Sequence, residues 1–287
     1  MGLEPPRRRG VRMLGVRMRV GRETSSRPGA GPVPRSNPLR VGEAARFNEI
    51  TAGQAERERL RDLLCRHVGR DVAHRALEHD ALPDRDGLAG GEVTQAAVLF
   101  IDVVGSTNLA ATRPPDEVAT VLNAFFRIVV ATVERHHGFV NKFQGDAALA
   151  VFGAPRPVAD PAGSALATAR ELRPTLRALD VIDFGIGVSF GEVFAGNIGA
   201  EQRYEYTVIG DPVNEAARLT EVAKTCEYRA LASGHALTAA AWDESQRWMP
   251  VRSVTLRGRT EPTLLAEPVL ELDLSRRRAA VRAADSG

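Results

Sequence analysis

The sequence predicts an α+β sandwich, with helices on one face of a mainly antiparallel sheet, and three observations predict it. Apolar runs such as Ala96–Ile101 have the length of buried strands. Between them lie segments with helical apolar spacing, as at Val118, Val121, Leu122, Phe125 and Val129. Glycine-centred turns such as Gly145-Asp146 separate neighbouring strands. With 44% hydrophobic and 26% charged residues, the 287-residue chain reads as one globular domain of about 180 residues with extensions.

Residues 1–40 carry ten arginines and six prolines against Glu4 and Glu23, without apolar periodicity, and are expected to be disordered. The tail 275–287 holds four arginines against Asp285. Since the whole chain has a net charge of +2, the middle is acidic, about −9 by difference. A basic arm can touch nucleic acid or an anionic membrane, but a solvated tail is the simpler reading, and no nucleic-acid partner is expected. No run of about 18 apolar residues exists, so no membrane span is expected. Val11–Val20 is interrupted by Arg12, Arg17 and Arg19 and makes no secretory core. Two isolated cysteines, Cys65 and Cys226, fit a reducing cytoplasm.

Residues 41–82 read as a helical segment, continuous from Gly42 to about Glu78, with a heptad pattern too broken for a coiled coil. The stretch Leu82–Gly91 is a linker. The domain proper, 93–270, opens with the strand Ala96–Ile101, after which Ser106 or Thr107 starts a helix. The next helix runs from Pro115 past His136-His137 and is ended by Gly138. Phe139–Phe143 and Ala147–Phe152 form a hairpin, and a helix covers Pro161–Leu179. A second strand pair, Phe184–Phe190 and Val193–Ile198, is expected to turn at Gly191-Glu192. Then come the strand Tyr204–Ile209 and a helix capped by Asp211 with Pro212 at its first position. The order is β-α-β-β-α-β with additions, a ferredoxin-like sandwich with extra strands.

Three segments carry candidate chemistry. Asp102 ends a strand and is followed by Val103-Val104-Gly105-Ser106-Thr107, offering a carboxylate for a metal and backbone N–H groups for a phosphate. The bland alternative is that Asp102 or Ser106 caps a helix. Asp146, 44 residues later, sits beside Gly145 in a turn that alone would be only a turn, with Lys142 four residues before it. Asn214 and Arg218 stand i, i+4 on one helix face, where they would either grip a ribose and a phosphate or be surface polar residues.

Together these segments resemble the catalytic domain of class III adenylate and guanylate cyclases. The resemblance is carried by F-I-D-V-V-G-S-T, N-K-F-Q-G-D-A, G-E-V-F-A-G-N-I-G at 191–199, Y-T-V-I-G-D-P-V-N-E-A-A-R-L and L-R-G at 256–258, in the family's order. It implies that Asp102, Asp146 and the Val103 carbonyl hold two Mg²⁺ or Mn²⁺ ions. It also implies that Gly105, Ser106 and Thr107 meet the phosphates, that Asn214 orients the ribose, and that Arg218 stabilises charge at the α-phosphate. Lys142 matches the purine-reading lysine, and an ammonium donates to adenine N1 but finds a hydrogen at guanine N1. Its usual aspartate partner is replaced by Thr207, whose hydroxyl can accept from adenine or donate to guanine. Arg257 stands where several relatives have a lysine near the γ-phosphate.

The resemblance further implies a homodimer with shared sites that makes 3′,5′-cyclic AMP from ATP in intracellular signalling, with GTP as a possible side substrate. Residues 41–82 are similar to the end of a HAMP-type signalling helix. Two alternatives stand beside this reading. One is a nucleotide-binding regulatory module of the same fold with little turnover, against which the retained set of Asp102, Asp146, Lys142, Asn214 and Arg218 argues. The other, a diguanylate cyclase, needs a G-G-[DE]-E-F-like turn that Gln144–Ala147 does not supply.

Overall fold

The computed structural model of the chain describes residues 38–78, 91–179, 182–200 and 202–269. The Arg- and Pro-rich start expected to be disordered lies outside the described residues up to 37, but residues 38–40 are helical as the first residues of α1; the basic tail and nearly all of the predicted linker also lie outside the described residues. The chain forms two compact units, 1–54 and 55–287. Among the described residues no helix is long and apolar enough to cross a membrane.

The single helix expected over Gly42–Glu78 is two helices, α1 (Pro38–Val68) and α2 (Arg70–Glu78). Gly69 separates them with φ +85°, and a Cβ there would lie 2.6 Å from the Phe139 ring. A left-handed backbone pressed against an aromatic ring admits only glycine. Helix propensity alone cannot reveal a break imposed by a side chain 70 residues away.

The ferredoxin-like core follows as predicted: β1 (Gly91–Val104), a short α3 (Ser106–Thr112), α4 (Pro115–Arg135), β2 (Phe139–Gln144), β3 (Ala147–Phe152), α5 (Pro161–Arg177) and β4 (Asp183–Ala200). The additions are β5 (Arg203–Ile209), α6 (Asp211–Ala223), β6 (Ala230–Ser233), α7 (Gly234–Ala239), α8 (Trp242–Ser245), β7 (Trp248–Val254) and β8 (Thr263–Pro268). The strands form one sheet in the order β2-β3-β1-β4-β6-β8-β7, with β5 also paired to β4. Among the described pairs, only β4–β6 is parallel.

Alternation along β1 sorts the two faces. Ala97, Leu99, Ile101 and Val103 join Phe125, Val129 and Val133 of α4 and Leu166, Leu172 and Leu176 of α5 in the main core. Each large side chain buried there stabilises the fold by about 1.5–3 kcal/mol. Val98 and Phe100 point the other way, with Leu149, toward Val213 and Ala216 of α6. The sandwich therefore gains a helix on the face opposite α4 and α5, and the same alternation turns Asp102 toward it. Two glycines of β4 permit the approach: a Cβ on Gly185 or Gly187 would lie 2.5 Å from the Thr220 carbonyl oxygen or 2.2 Å from that of Ala216.

Three local expectations are corrected. No turn exists at Gly191-Glu192, because β4 is continuous and pairs with β1 from Gly91↔Gly196 to Val104↔Asp183. A Cβ on Gly191 would sit 3.0 Å from Pro212 Cγ, so this glycine makes room for α6. At the end of α4, His137 rather than Gly138 adopts the left-handed conformation, at φ 62°. Its N–H donates to Glu134 O and that of Gly138 to Val133 O, at 3.0 and 2.9 Å, which closes the helix. His136 is the C-cap, as a helix-end reading requires, and its Nε2 lies 2.7 Å from Glu171 Oε2. The N-cap of α6 is Gly210, with Asp211 as the first helical residue; the Asp211 carboxylate reaches Arg259 at 2.8 Å instead of capping.

Candidate active site

The two aspartates converge because β1 and β3 are neighbours. Asp102 pairs with Ala147, the residue after Asp146, so the turn brings the second carboxylate to the first. The cap reading of Asp102 and Ser106 does not hold, since α3 is capped by Gly105 at φ 73° without a side-chain bond. The β1–β3 pairing ends at Asp102, and Val103 pairs only on its β4 side, with Phe184. Its other edge is open beside the carboxylates. Gly105, Ser106 and Thr107 follow at the start of α3, where first-turn N–H groups have no partner within the helix.

Lys224, the C-cap of α6, meets Asp102. Its Nζ donates to Asp102 Oδ2 at 2.6 Å and to Glu221 Oε1 at 2.9 Å. Burial opposes the charge on Lys224, but the hydrogen bonds to Asp102 and Glu221 outweigh it and hold its pKa above the ordinary value. Asp102 is also held above the ordinary carboxylate value, first by burial and further by the neighbouring Asp146, against the opposing pull of Lys224. The close contact marks a charged pair, and the direction for Lys224 agrees with it. Two carboxylates that repel one another even beside an ammonium form a site short of positive charge. Sequence reading missed Lys224, whose partner lies 122 residues away.

A second cluster forms where β2 meets β5. The β2–β3 register shifts between Val140 and Lys142, a bulge at Asn141. Lys142 Nζ lies 2.7 Å from Glu205 Oε1. Asn141 Nδ2 donates to the Tyr206 carbonyl at 2.7 Å, and Thr207 Oγ1 donates to Asn141 Oδ1 at 3.0 Å. Lys142 and Thr207, predicted as partners from positions 65 residues apart, thus lie on the same two neighbouring segments, Lys142 paired with Glu205 and Thr207 bonded to Asn141. Behind it, Tyr206 packs edge-on to Phe139 at 6.4 Å, and the Arg75 guanidinium of α2 lies 5.7 Å from the Tyr206 ring centroid.

A third group lies on α6. Asn214 and Arg218 are both exposed on one face, while Glu215 between them is 3% exposed. Glu215 accepts from Ser189 Oγ at 2.5 Å and Thr263 Oγ1 at 2.8 Å, and Arg259 approaches it at 3.1 Å. Arg257 stands exposed on the turn closed by Arg259 N–H to Leu256 O at 3.0 Å. Arg259, two residues on, ties that turn to α6. Beside the start of α6 is a cavity of about 550 Å³, lined by Val93, Phe194, Ile209, Pro212 and His235 among others. It contains none of the metal, base or transition-state candidates, so chemistry rather than concavity locates the site.

The donor set suits a hard cation. Among the described residues no group of three or more His, Cys, Asp or Glu side chains gathers as a metal cage. Two carboxylates and a backbone carbonyl leave the remaining positions to water and substrate phosphates, the arrangement Mg²⁺ favours.

Comparison with known proteins agrees. The model of the adenylate and guanylate cyclase catalytic domain matches residues 90–264. The uncharacterized protein Rv1318c of Mycobacterium tuberculosis is 52% identical over 231 residues, covering 80% of this chain and 42% of that protein. An uncharacterized protein of Mycobacterium bovis, Mb1354c, is 50% identical over 236 residues, 82% of this chain and 41% of its own length. The chain thus spans about two fifths of the curated relatives it matches. The fold is that of the adenylyl cyclase CyaB from P. aeruginosa, at TM-score 0.57 and 22% identity over 63% of this chain and 97% of that one. The guanylyl cyclase Cya2 aligns at TM-score 0.53 and 30% identity, covering 63% and 96%. A match spanning more than half of the chain, on the strands and helices that carry the converging aspartates, places this protein in the family of class III adenylate and guanylate cyclase catalytic domains.

Proposed function

We propose that two copies of this chain form a head-to-tail dimer that converts ATP to 3′,5′-cyclic AMP and pyrophosphate. The observation that carries this reading is the separation of roles within one chain. Asp102, with Asp146 beside it, is engaged by Lys224, whereas Lys142 pairs with Glu205 and its neighbour Asn141 with Thr207, both between β2 and β5. In a head-to-tail pair the metal residues of one protomer face the base-reading and α6 residues of the other, which gives two equivalent sites.

Asp102, Asp146 and the Val103 carbonyl would hold the divalent cations. When bound, these supply activation of the ribose 3′-hydroxyl as a nucleophile and neutralise charge on the triphosphate. Asn214 hydrogen-bonds the ribose and sets its 3′-oxygen toward the α-phosphorus. Arg218, four residues on and equally exposed, presents its guanidinium to the charge that develops at the α-phosphate. The N–H groups of Gly105, Ser106 and Thr107 take phosphate oxygens, and Arg257 meets the distal phosphate from its turn. The 3′-oxygen forms its bond to the α-phosphorus as the bond to pyrophosphate breaks, and the hydroxyl proton leaves to solvent or a phosphate oxygen. Lys142 donates to adenine N1, and Thr207 accepts from the 6-amino group.

The test is direct. Purified protein incubated with ATP or GTP and Mn²⁺ is expected to form cyclic nucleotide, faster with ATP, and more than linearly with dilute protein. No product above an Asp102→Ala control across a range of concentrations would overturn the enzyme reading.

The ammonium on Asp102 gives a separate expectation. A divalent cation shares that carboxylate with Lys224, so Lys224→Met should tighten Mn²⁺ binding by about tenfold, read by electron paramagnetic resonance of free Mn²⁺ without nucleotide. Weaker binding in the variant would mean that Lys224 supports the cation site instead of opposing it.

A further inference from the structure

A threonine hydroxyl is an ambiguous reader of purines, since it can accept from the adenine amino group or donate to guanine O6. The structure removes the ambiguity through a residue with no assigned role. Asn141 sits at the bulge of β2, which brings both it and Lys142 to β5, where one meets Tyr206 and Thr207 and the other Glu205.

The hydrogen bonds of Asn141 run in one direction. The Tyr206 carbonyl can only accept, so the partner at 2.7 Å must be the Asn141 NH₂ group. That assignment turns Oδ1 toward Thr207, 3.0 Å away, and a carboxamide oxygen also only accepts. The single hydroxyl hydrogen of Thr207 is therefore committed to Asn141. Thr207 is 8% exposed, so bulk water has little access to replace that bond.

We propose that Asn141 is the residue that fixes purine choice, by locking Thr207 as an acceptor. Lone pairs are all that Thr207 then presents to a base. Adenine offers an N–H there and is accepted, while guanine offers O6 and meets lone pair against lone pair. Asn141 is a positioning residue: it acts on the base through Thr207. The inference rests on the nucleotide cyclase reading and adds to it a determinant that the Lys142–Thr207 pair alone does not contain.

The test measures the ATP-to-GTP ratio in two ways: kcat/KM for cyclisation, and displacement of a fluorescent ATP analogue from the dimer by ATP and by GTP. Asn141→Ala frees the Thr207 hydroxyl to donate and is expected to lower both ratios by about fivefold to tenfold, mainly through a gain with GTP. Asn141→Leu, close in volume but without an acceptor for Thr207, is the milder replacement and should shift the ratio the same way. In a Thr207→Ala background the Asn141 substitution should change nothing further, because its effect passes through the missing hydroxyl. An unchanged ratio in folded Asn141→Leu, or an equal shift with Thr207 absent, would overturn the inference. Loss of product with a retained shift in displacement would count against the cyclase reading alone.

Discussion

Replacing Asp102 with alanine is expected to reduce cyclic nucleotide formation by about a thousandfold or more at saturating ATP and Mn²⁺. On the proposed reading the carboxylate would be shared between a cation and Lys224, and the next residues, Val103 and Val104, offer no replacement. The loss should persist at high Mn²⁺ concentration. Recovery of most of the rate by excess metal would show that Asp146 suffices and that Asp102 plays a lesser part. Thermal unfolding serves as the control, because the substitution also deprives Lys224 of its principal partner.

Arg218→Ala should lower kcat by about a hundredfold to a thousandfold with little change in stability, because the guanidinium is exposed on α6. Mixing the two inactive variants then tests the shared site. If Asp102 and Arg218 of one chain serve different sites, a heterodimer of Asp102→Ala and Arg218→Ala chains retains one intact site of two. An equal mixture should recover about a quarter of the wild-type rate, since half of the randomly paired dimers are mixed. If each chain completed its own site, mixing would restore nothing.

Local pattern carried most of this architecture. The helical spacing of α4, the apolar run of β1 and the Gly145-Asp146 turn are each written in a dozen contiguous residues or fewer, and the core built from them stands as expected. Two of the corrections, the break in the first helix and the continuity of β4, share one cause: Gly69 and Gly191 are each small for the sake of a distant neighbour, the Phe139 ring in one case and Pro212 in the other. Viewed locally, a glycine in a helical stretch is tolerated and a glycine in a strand suggests a turn. The candidate site divides the same way. Motif residues were visible in order along the chain, whereas Lys224, Glu205, Asn141 and Arg259 acquire meaning only from the partners that folding brings to them. A lysine at a helix end and an asparagine in a strand carry no signal until the sheet sets them against Asp102 and Thr207.

The seat of α2 has a consequence for control. Phe139, which presses on Gly69, stands two residues before Asn141, and Tyr206, under the Arg75 guanidinium, stands immediately before Thr207. The helix and the glycine before it thus rest on the residues next to Asn141 and Thr207, the pair proposed above to read the base. If Lys142 and Thr207 read the base as proposed, a shift of α2 would reach that reading through Phe139 and Tyr206.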